Sequence, residues 1–115
     1  MKKIIVVTGG AGFVGSNLIN FLLIKSNYKI ISIDDYSSGS KKNHIKNSRV
    51  KYINSHTKHI SSIIKKPKNV NAIFHFGEFA RIYQSFIQMD KCLNSNSIGT
   101  NAVFNFCLVN KIKLI

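Results

Sequence analysis

The feature that most constrains this chain is the glycine turn Thr8–Gly15, which consists of Thr-Gly-Gly-Ala-Gly-Phe-Val-Gly. It follows an apolar, β-branched run at residues 3–8 and precedes apolar residues that recur at helical spacing from Phe13 to about Lys25. Glycines in such a unit permit a sharp turn, let backbone N–H groups approach a phosphate and let the helix pack against the strand. The pattern therefore predicts a phosphate-binding turn at the start of a helix.

The rest of the chain alternates predicted strands and helices. Strands are predicted at residues 29–34, 50–53, 70–76 and 111–115, helices at 57–66 and 90–110, and a polar loop at 35–48. Parallel strands need crossover helices, so this alternation predicts an α/β fold, a Rossmann-type open parallel sheet with helices on both faces, truncated at about the fifth strand. We expect residues 1–115 to form one partial NAD(P)-binding domain without a substrate domain. The expected apolar stripe of the first helix consists of Val14, Leu18, Phe21 and Leu22, widened by Ile19 and Leu23.

An acidic residue ends the second predicted strand. Asp34 lies nineteen residues after Gly15, where a carboxylate can accept hydrogen bonds from ribose hydroxyls. Its charge would repel a 2′-phosphate, which favours NAD over NADP, although Lys41 and Lys42 nearby leave NADP open. Asp34 as a simple turn cap is the competing interpretation.

Charge and composition restrict which other partners and cellular locations the sequence supports. The net charge of +13 raises the hypothesis of nucleic-acid binding, but fifteen of the seventeen basic residues are lysines spread along the chain without interleaved aromatics. Nucleic acid is therefore not the favoured partner. The apolar run Ile4–Val7 is too short for a signal peptide or a membrane span, and we expect a cytoplasmic protein. Cys92 and Cys107 have no partners for a metal site, so buried free thiols are expected.

Four motifs in order resemble the extended short-chain dehydrogenase/reductase family, specifically its NAD-dependent sugar-nucleotide epimerases and dehydratases of the UDP-glucose 4-epimerase type. The motifs are Thr8–Gly15, the loop Asp34–Gly39, the strand end Ile73–Gly77, and the helical Asn96-Ser97-Ile98-Gly99-Thr100-Asn101. The resemblance implies NAD as cofactor and covers only the leading part of the family's length.

The resemblance also implies cofactor-binding residues. They are Phe13 and Val14 at the pyrophosphate, beside Gly9, Gly12 and Gly15 of the glycine turn, and Asp34 and Asp35 around the adenosine. Phe76 to Ala80, which include Gly77 and Glu78, lie along the nicotinamide side, and Asn96 matches a residue near the cofactor. Two positions depart from the family. His56, followed by Thr57, stands where an Asp usually meets the adenine, and Gly77-Glu78 stands where small apolar residues are usual. Glu78 as a solvated loop carboxylate is an equal alternative.

Catalysis in this family is attributed to a Ser or Thr and a Tyr-x-x-x-Lys pair. No tyrosine here has a lysine four residues later, so we expect no catalytic residues in this chain and no activity from it alone. His44, His59 and His75 have no partner spacing that suggests a metal, so no metal-binding residues are expected. A full-length form would take a nucleotide-sugar substrate, and a separate C-terminal half or a homo-oligomer would complete it. A non-catalytic NAD-binding module or remnant is the alternative function.

Overall fold

A twisted parallel sheet forms the centre of the molecule in the computed structural model, which describes residues 2–77 and 94–115. Its strands within these ranges are β1 (Ile4–Thr8), β2 (Lys29–Asp34), β3 (Val50–Asn54), β4 (Val70–His75) and β5 (Lys113–Leu114). Their spatial order is β3-β2-β1-β4-β5, and all neighbouring strands are parallel. The predicted open α/β sheet is therefore confirmed.

Helices cover both faces of this sheet, as predicted. The described helices are α1 (Phe13–Lys25), α2 (Ile60–Ile63) and α3 (Thr100–Asn110), with a π-helical segment Asn94–Gly99 immediately before α3. Single 3-10 turns lie at Lys41–Asn43, Thr57–His59 and Pro67–Asn69. Because β1 and β2 are connected through α1, whereas β4 lies on the other side of β1, the chain reverses its direction of strand addition at β1.

The core consists of two apolar layers, one on each side of the sheet. Successive strand residues point to opposite faces, so Val7 packs toward α1 while Val6 packs toward α2 and α3. The α1 layer contains Ile5, Val7, Ile19, Leu22, Leu23 and Ile30. The opposite layer includes Val6, Ile33, Ile60, Ile64, Ile73, Val103, Phe106 and Cys107. Both strand faces are therefore buried, which explains the nearly continuous apolar composition of β1.

Two local predictions were wrong. The helix expected over 57–66 ends at Ile63, because the backbone of Ile64 is extended (φ −87°, ψ 101°) and its side chain turns into the core. Val14 and Phe21 were expected on the inner face of the first helix but are 55% and 57% exposed. The helix buries Gly15, Ile19, Leu22 and Leu23, so the burial expected of Ile19, Leu22 and Leu23 is confirmed. Cys107 is a buried free thiol as expected, and burial raises its pKa; Cys92 lies outside the described residues.

Candidate active site at the carboxyl end of the sheet

A cleft opens at the carboxyl ends of β1 to β4. Its lining residues are Gly9, Gly12, Ile33, Asp34, Asp35, Ser37, Ser38, Gly39, Ser55, His56, Thr57, Phe76 and Gly77. Parallel sheets bind ligands at such a position, because the loops diverge where the order of strand addition reverses. The fold thus brings together four loops that are far apart in the sequence.

The glycine turn forms the centre of the cleft wall. Gly9 has a φ of +72°, and a Cβ there would lie 2.7 Å from the Phe76 carbonyl oxygen, so the loop after β4 passes directly against this residue. A Cβ on Gly15 would overlap the Gly9 carbonyl oxygen. The turn therefore requires glycine at both positions, because main-chain atoms occupy the space of a side chain: those of Phe76 at Gly9 and those of the turn itself at Gly15.

The start of α1 offers backbone donors. Gly12 is the N-cap residue, and the first turn of α1 carries no acidic side chain. The first N–H groups of a helix lack partners within the helix and carry partial positive charge. An anion at the glycine turn would accept hydrogen bonds from these groups.

Asp34 organises the turn as well as facing the cleft. Its Oδ2 accepts a hydrogen bond from the Ala11 N–H at 3.0 Å, and its Oδ1 accepts one from the Tyr36 N–H at 2.8 Å. The side chain is 9% exposed and lines the cleft. Since each carboxylate oxygen has two lone pairs, Asp34 retains acceptor capacity toward a ligand. The turn-cap interpretation and a ligand role are therefore compatible.

The loop after β2 is tied to the glycine turn through Ala11. The carbonyl oxygen of Ala11 accepts hydrogen bonds from the Ser40 N–H at 3.0 Å and the Asn43 Nδ2 at 2.7 Å. Gly39 lies so close to Ala11 that a Cβ there would be 3.0 Å from the Ala11 Cβ. Sequence reasoning missed Ala11 and Asn43, because neither residue type carries a signal for such a backbone contact.

A hydrogen-bonded chain of side chains holds the loop after β4. Thr8 Oγ1 accepts hydrogen bonds from the N–H groups of Phe76 and Gly77, each at 3.0 Å. These bonds use both lone pairs, so the Thr8 hydroxyl donates to His75 Nδ1, 2.6 Å away. His75 Nε2 shares a hydrogen bond with Thr100 Oγ1 at 2.9 Å. The chain links β1, β4 and α3 beneath the cleft.

His56 forms the wall of the cleft at the end of β3. Its Nδ1 accepts a hydrogen bond from the Lys58 N–H at 3.0 Å and so caps the turn Thr57–His59. Burial lowers the pKa of His56, and the opposing effect of the Asp35 carboxylate is smaller. Thr57 is buried, and its Cγ2 lies 3.2 Å from the position of a Cβ on Gly77.

Most of the predicted cofactor residues meet in this cleft. Those that line it are Gly9, Gly12, Asp34, Asp35, His56, Thr57, Phe76 and Gly77. Gly15 lies behind the turn, while Phe13 and Val14 are exposed in the first turn of α1 and do not line the cleft. Glu78 and the side chain of Asn96 lie outside what the structure describes. Ser37, Ser38 and Gly39 also line it and belong to the predicted motif Asp34–Gly39, although no role was assigned to them individually. Ile33 and Ser55 are lining residues that sequence reasoning did not single out.

No helix in the described ranges combines the length and apolarity needed to cross a membrane. Residues 2–77 and 94–115 also contain no group of three or more His, Cys, Asp or Glu side chains able to hold a metal ion together.

Comparison with known proteins identifies relatives of this fold. dTDP-D-glucose 4,6-dehydratase of Dictyostelium discoideum is 30% identical over 117 aligned residues, covering 95% of this chain. UDP-N-acetylglucosamine 4-epimerase of Methanobrevibacter ruminantium M1, solved with UDP-N-acetylmuramic acid, has a TM-score of 0.79 and 27% identity over 99% of this chain. The UDP-glucose 4-epimerase of Thermus thermophilus, solved with NAD, has a TM-score of 0.80 over 96% of this chain, and its 21% identity supports the fold alone.

The chain is much shorter than these proteins. It spans 27% of the Dictyostelium dehydratase and 37% and 36% of the two solved epimerase chains. The sequence model described as the NAD dependent epimerase/dehydratase family matches residues 5–115, which include all of the cleft described above. By this match the chain belongs to the NAD dependent epimerase/dehydratase family.

Proposed function

We propose that this chain binds NAD in the cleft and forms the NAD-binding part of a sugar-nucleotide epimerase or dehydratase. The observation that carries the proposal is the Asp34 carboxylate, which is fixed against the glycine turn by the Ala11 N–H and also lines the cleft. This arrangement places an acceptor for ribose hydroxyls beside donors for a pyrophosphate, the two requirements for binding the adenosine half of a dinucleotide.

The geometry supports one orientation of the dinucleotide along the cleft. The pyrophosphate would lie at Gly9, Gly12 and the first turn of α1, which also contains Phe13, Val14 and Gly15. The adenosine would extend over the ends of β2 and β3, past Asp34 and Asp35 toward His56 and Thr57. The nicotinamide would lie beyond Phe76 and Gly77, on the side that the resemblance assigns to Glu78 and Asn96.

NAD fits this cleft better than NADP. Asp34 and Asp35 both line it, and their carboxylates would repel a 2′-phosphate on the ribose. Lys41 and Lys42 follow in the turn Lys41–Asn43, but neither lines the cleft. We therefore expect NAD to bind more tightly than NADP at physiological ionic strength.

The whole enzyme would act on a nucleotide sugar. Bound NAD supplies hydride transfer to and from a sugar carbon, and the described residues of this chain would hold and orient it. The acid–base residues and the sugar site would come from a further part of the protein or from a partner, such as a C-terminal half or a second copy. A cytoplasmic location is part of this proposal.

Calorimetric titration with NAD and NADP tests the binding proposal. We expect saturable binding of NAD and weaker binding of NADP. Asp34→Asn should weaken NAD binding by about tenfold or more, because an amide oxygen cannot replace both carboxylate oxygens toward the Ala11 and Tyr36 N–H groups and a ribose. Asp35→Asn, a matched change in an exposed neighbouring carboxylate, should have a smaller effect. No heat and no thermal shift at millimolar NAD would contradict the proposal.

A further inference from the structure

His56 is the side chain that faces the cleft where the base of a dinucleotide would lie. If the ribose binds at Asp34 on β2, its base extends toward the neighbouring strand β3, because the turn after β1 occupies the other side. The end of β3 is tied to the end of β2 by the hydrogen bond from Ser55 N–H to the Asp34 carbonyl oxygen, at 3.0 Å. His56 follows directly and lines the cleft.

The backbone fixes which ring nitrogen of His56 carries the proton. Nδ1 accepts the Lys58 N–H and therefore has no proton of its own. In a neutral imidazole the proton is then on Nε2, the nitrogen farther from the backbone. Burial lowers the pKa of His56, so the neutral ring is the form present at pH 7. No residue within 2–77 or 94–115 makes a hydrogen bond to Nε2. Its N–H is available to a ligand.

We infer that His56 is a specificity-determining residue that presents one N–H donor, and no acceptor, to the purine base of the bound dinucleotide. The inference rests on the proposed function. A donor cannot pair with the 6-amino group of adenine, which is itself a donor. It can pair with the adenine ring nitrogens N1 and N7, which are acceptors, and with a 6-oxo group. The site therefore gains nothing at this position from the 6-amino group and accepts a 6-oxopurine dinucleotide in place of NAD.

The variant His56→Asp reverses this property with little change to the fold. Aspartate is a favoured N-cap residue and keeps an acceptor for the Lys58 N–H, so the turn Thr57–His59 should be retained. Its second oxygen presents an acceptor to the base where the wild type presents a donor. His59→Asp is the matched control, because His59 belongs to the same turn but is exposed and does not line the cleft.

The experiment compares NAD with nicotinamide hypoxanthine dinucleotide, which has a 6-oxo group, by calorimetric titration of the three proteins. We expect the wild type to bind both within about threefold of one another. His56→Asp should shift the ratio of the two Kd values by about tenfold or more, toward NAD where the new carboxylate faces the 6-position and toward the 6-oxopurine dinucleotide where it faces N1. His59→Asp should retain the wild-type ratio. Thermal unfolding of each protein checks that the fold is intact.

The outcomes separate the two proposals. Binding of both dinucleotides with the same Kd ratio in wild type and His56→Asp would overturn the assignment of His56 and leave the NAD site standing. An equal shift of the ratio in His59→Asp would also overturn it, because the effect would then come from added charge alone. If the wild type binds neither dinucleotide, the proposed function fails and the inference fails with it.

Discussion

The two ends of the cleft are built in different ways. At the end of β1 the wall is backbone, because Gly9 and Gly15 lie where any side chain would collide with a main-chain atom. At the end of β3 the wall is a side chain, and its chemistry depends on the bond between His56 Nδ1 and the Lys58 N–H. A backbone wall suits the phosphates that all dinucleotides share, whereas a side-chain wall can discriminate between bases.

The largest effect is expected from a substitution that adds one methyl group to the glycine turn, where the cleft wall is backbone. Gly15→Ala places a Cβ 2.2 Å from the Gly9 carbonyl oxygen, which is a severe clash with backbone. We expect the free energy of unfolding to fall by more than about 3 kcal/mol. Gly12→Ala is the control, since the nearest atom to its Cβ is the Gly9 carbonyl oxygen at 3.3 Å, and it should cost only about 1 kcal/mol. Chemical denaturation measures both. Equal losses would show that the turn has no special requirement at Gly15.

A smaller loss of stability is expected at Thr8, whose side chain supports the backbone wall. Thr8→Val removes the hydroxyl that accepts the Phe76 and Gly77 N–H groups while keeping the side-chain volume. We expect a loss of about 1–2 kcal/mol in unfolding free energy, because the Gly77 N–H loses its acceptor, whereas the Phe76 N–H keeps the Thr8 carbonyl oxygen.

Thr8→Ser distinguishes hydrogen bonding from packing at this position. Serine keeps the hydroxyl and loses one buried methyl group, at a cost of about 1 kcal/mol. If Thr8→Ser is the more damaging substitution in urea denaturation, packing rather than hydrogen bonding holds the loop after β4 in place.

The smallest effect concerns a hydroxyl beneath the backbone wall. Ser32 on β2 is buried, and in the described part of the chain its Oγ makes no hydrogen bond. It lies directly against Gly10, where a Cβ would overlap it. We expect Ser32→Ala to leave the stability unchanged or to raise it by up to about 1 kcal/mol, because it removes a desolvated polar atom without a partner. A marked loss of stability would show that Ser32 bonds to a buried water.

The same contrast explains how much could be predicted from the sequence. The glycine turn, α1, β2 and Asp34 were predicted with their observed bounds. The backbone of the turn allows only glycine at certain positions, and these glycines mark where β1 ends and α1 begins. The early end of α2 at Ile63 could not be predicted, since Ile60, Ile63 and Ile64 fit a helix locally and only the core packing draws Ile64 out of it.

Contacts that depend on tertiary structure could not be predicted from the sequence either. The hydrogen bonds of the Ala11 carbonyl oxygen to Ser40 and Asn43 join residues about thirty positions apart through residue types that carry no pattern of their own. His56 was correctly singled out as a departure from the family, but its proton position follows from the Lys58 N–H and required the structure.

The central claim is that the cleft at the carboxyl end of the sheet is a dinucleotide site. Amide chemical-shift mapping during a titration with NAD tests it most directly, since every part of the cleft wall contributes backbone N–H groups. If NAD binds in the cleft, we expect saturable shifts concentrated at residues 9–15, 34–39 and 55–57. All of them should reach half of their final change at the same NAD concentration. Shifts that do not saturate, or that lie at the lysine-bearing amino ends of the strands instead, would contradict it.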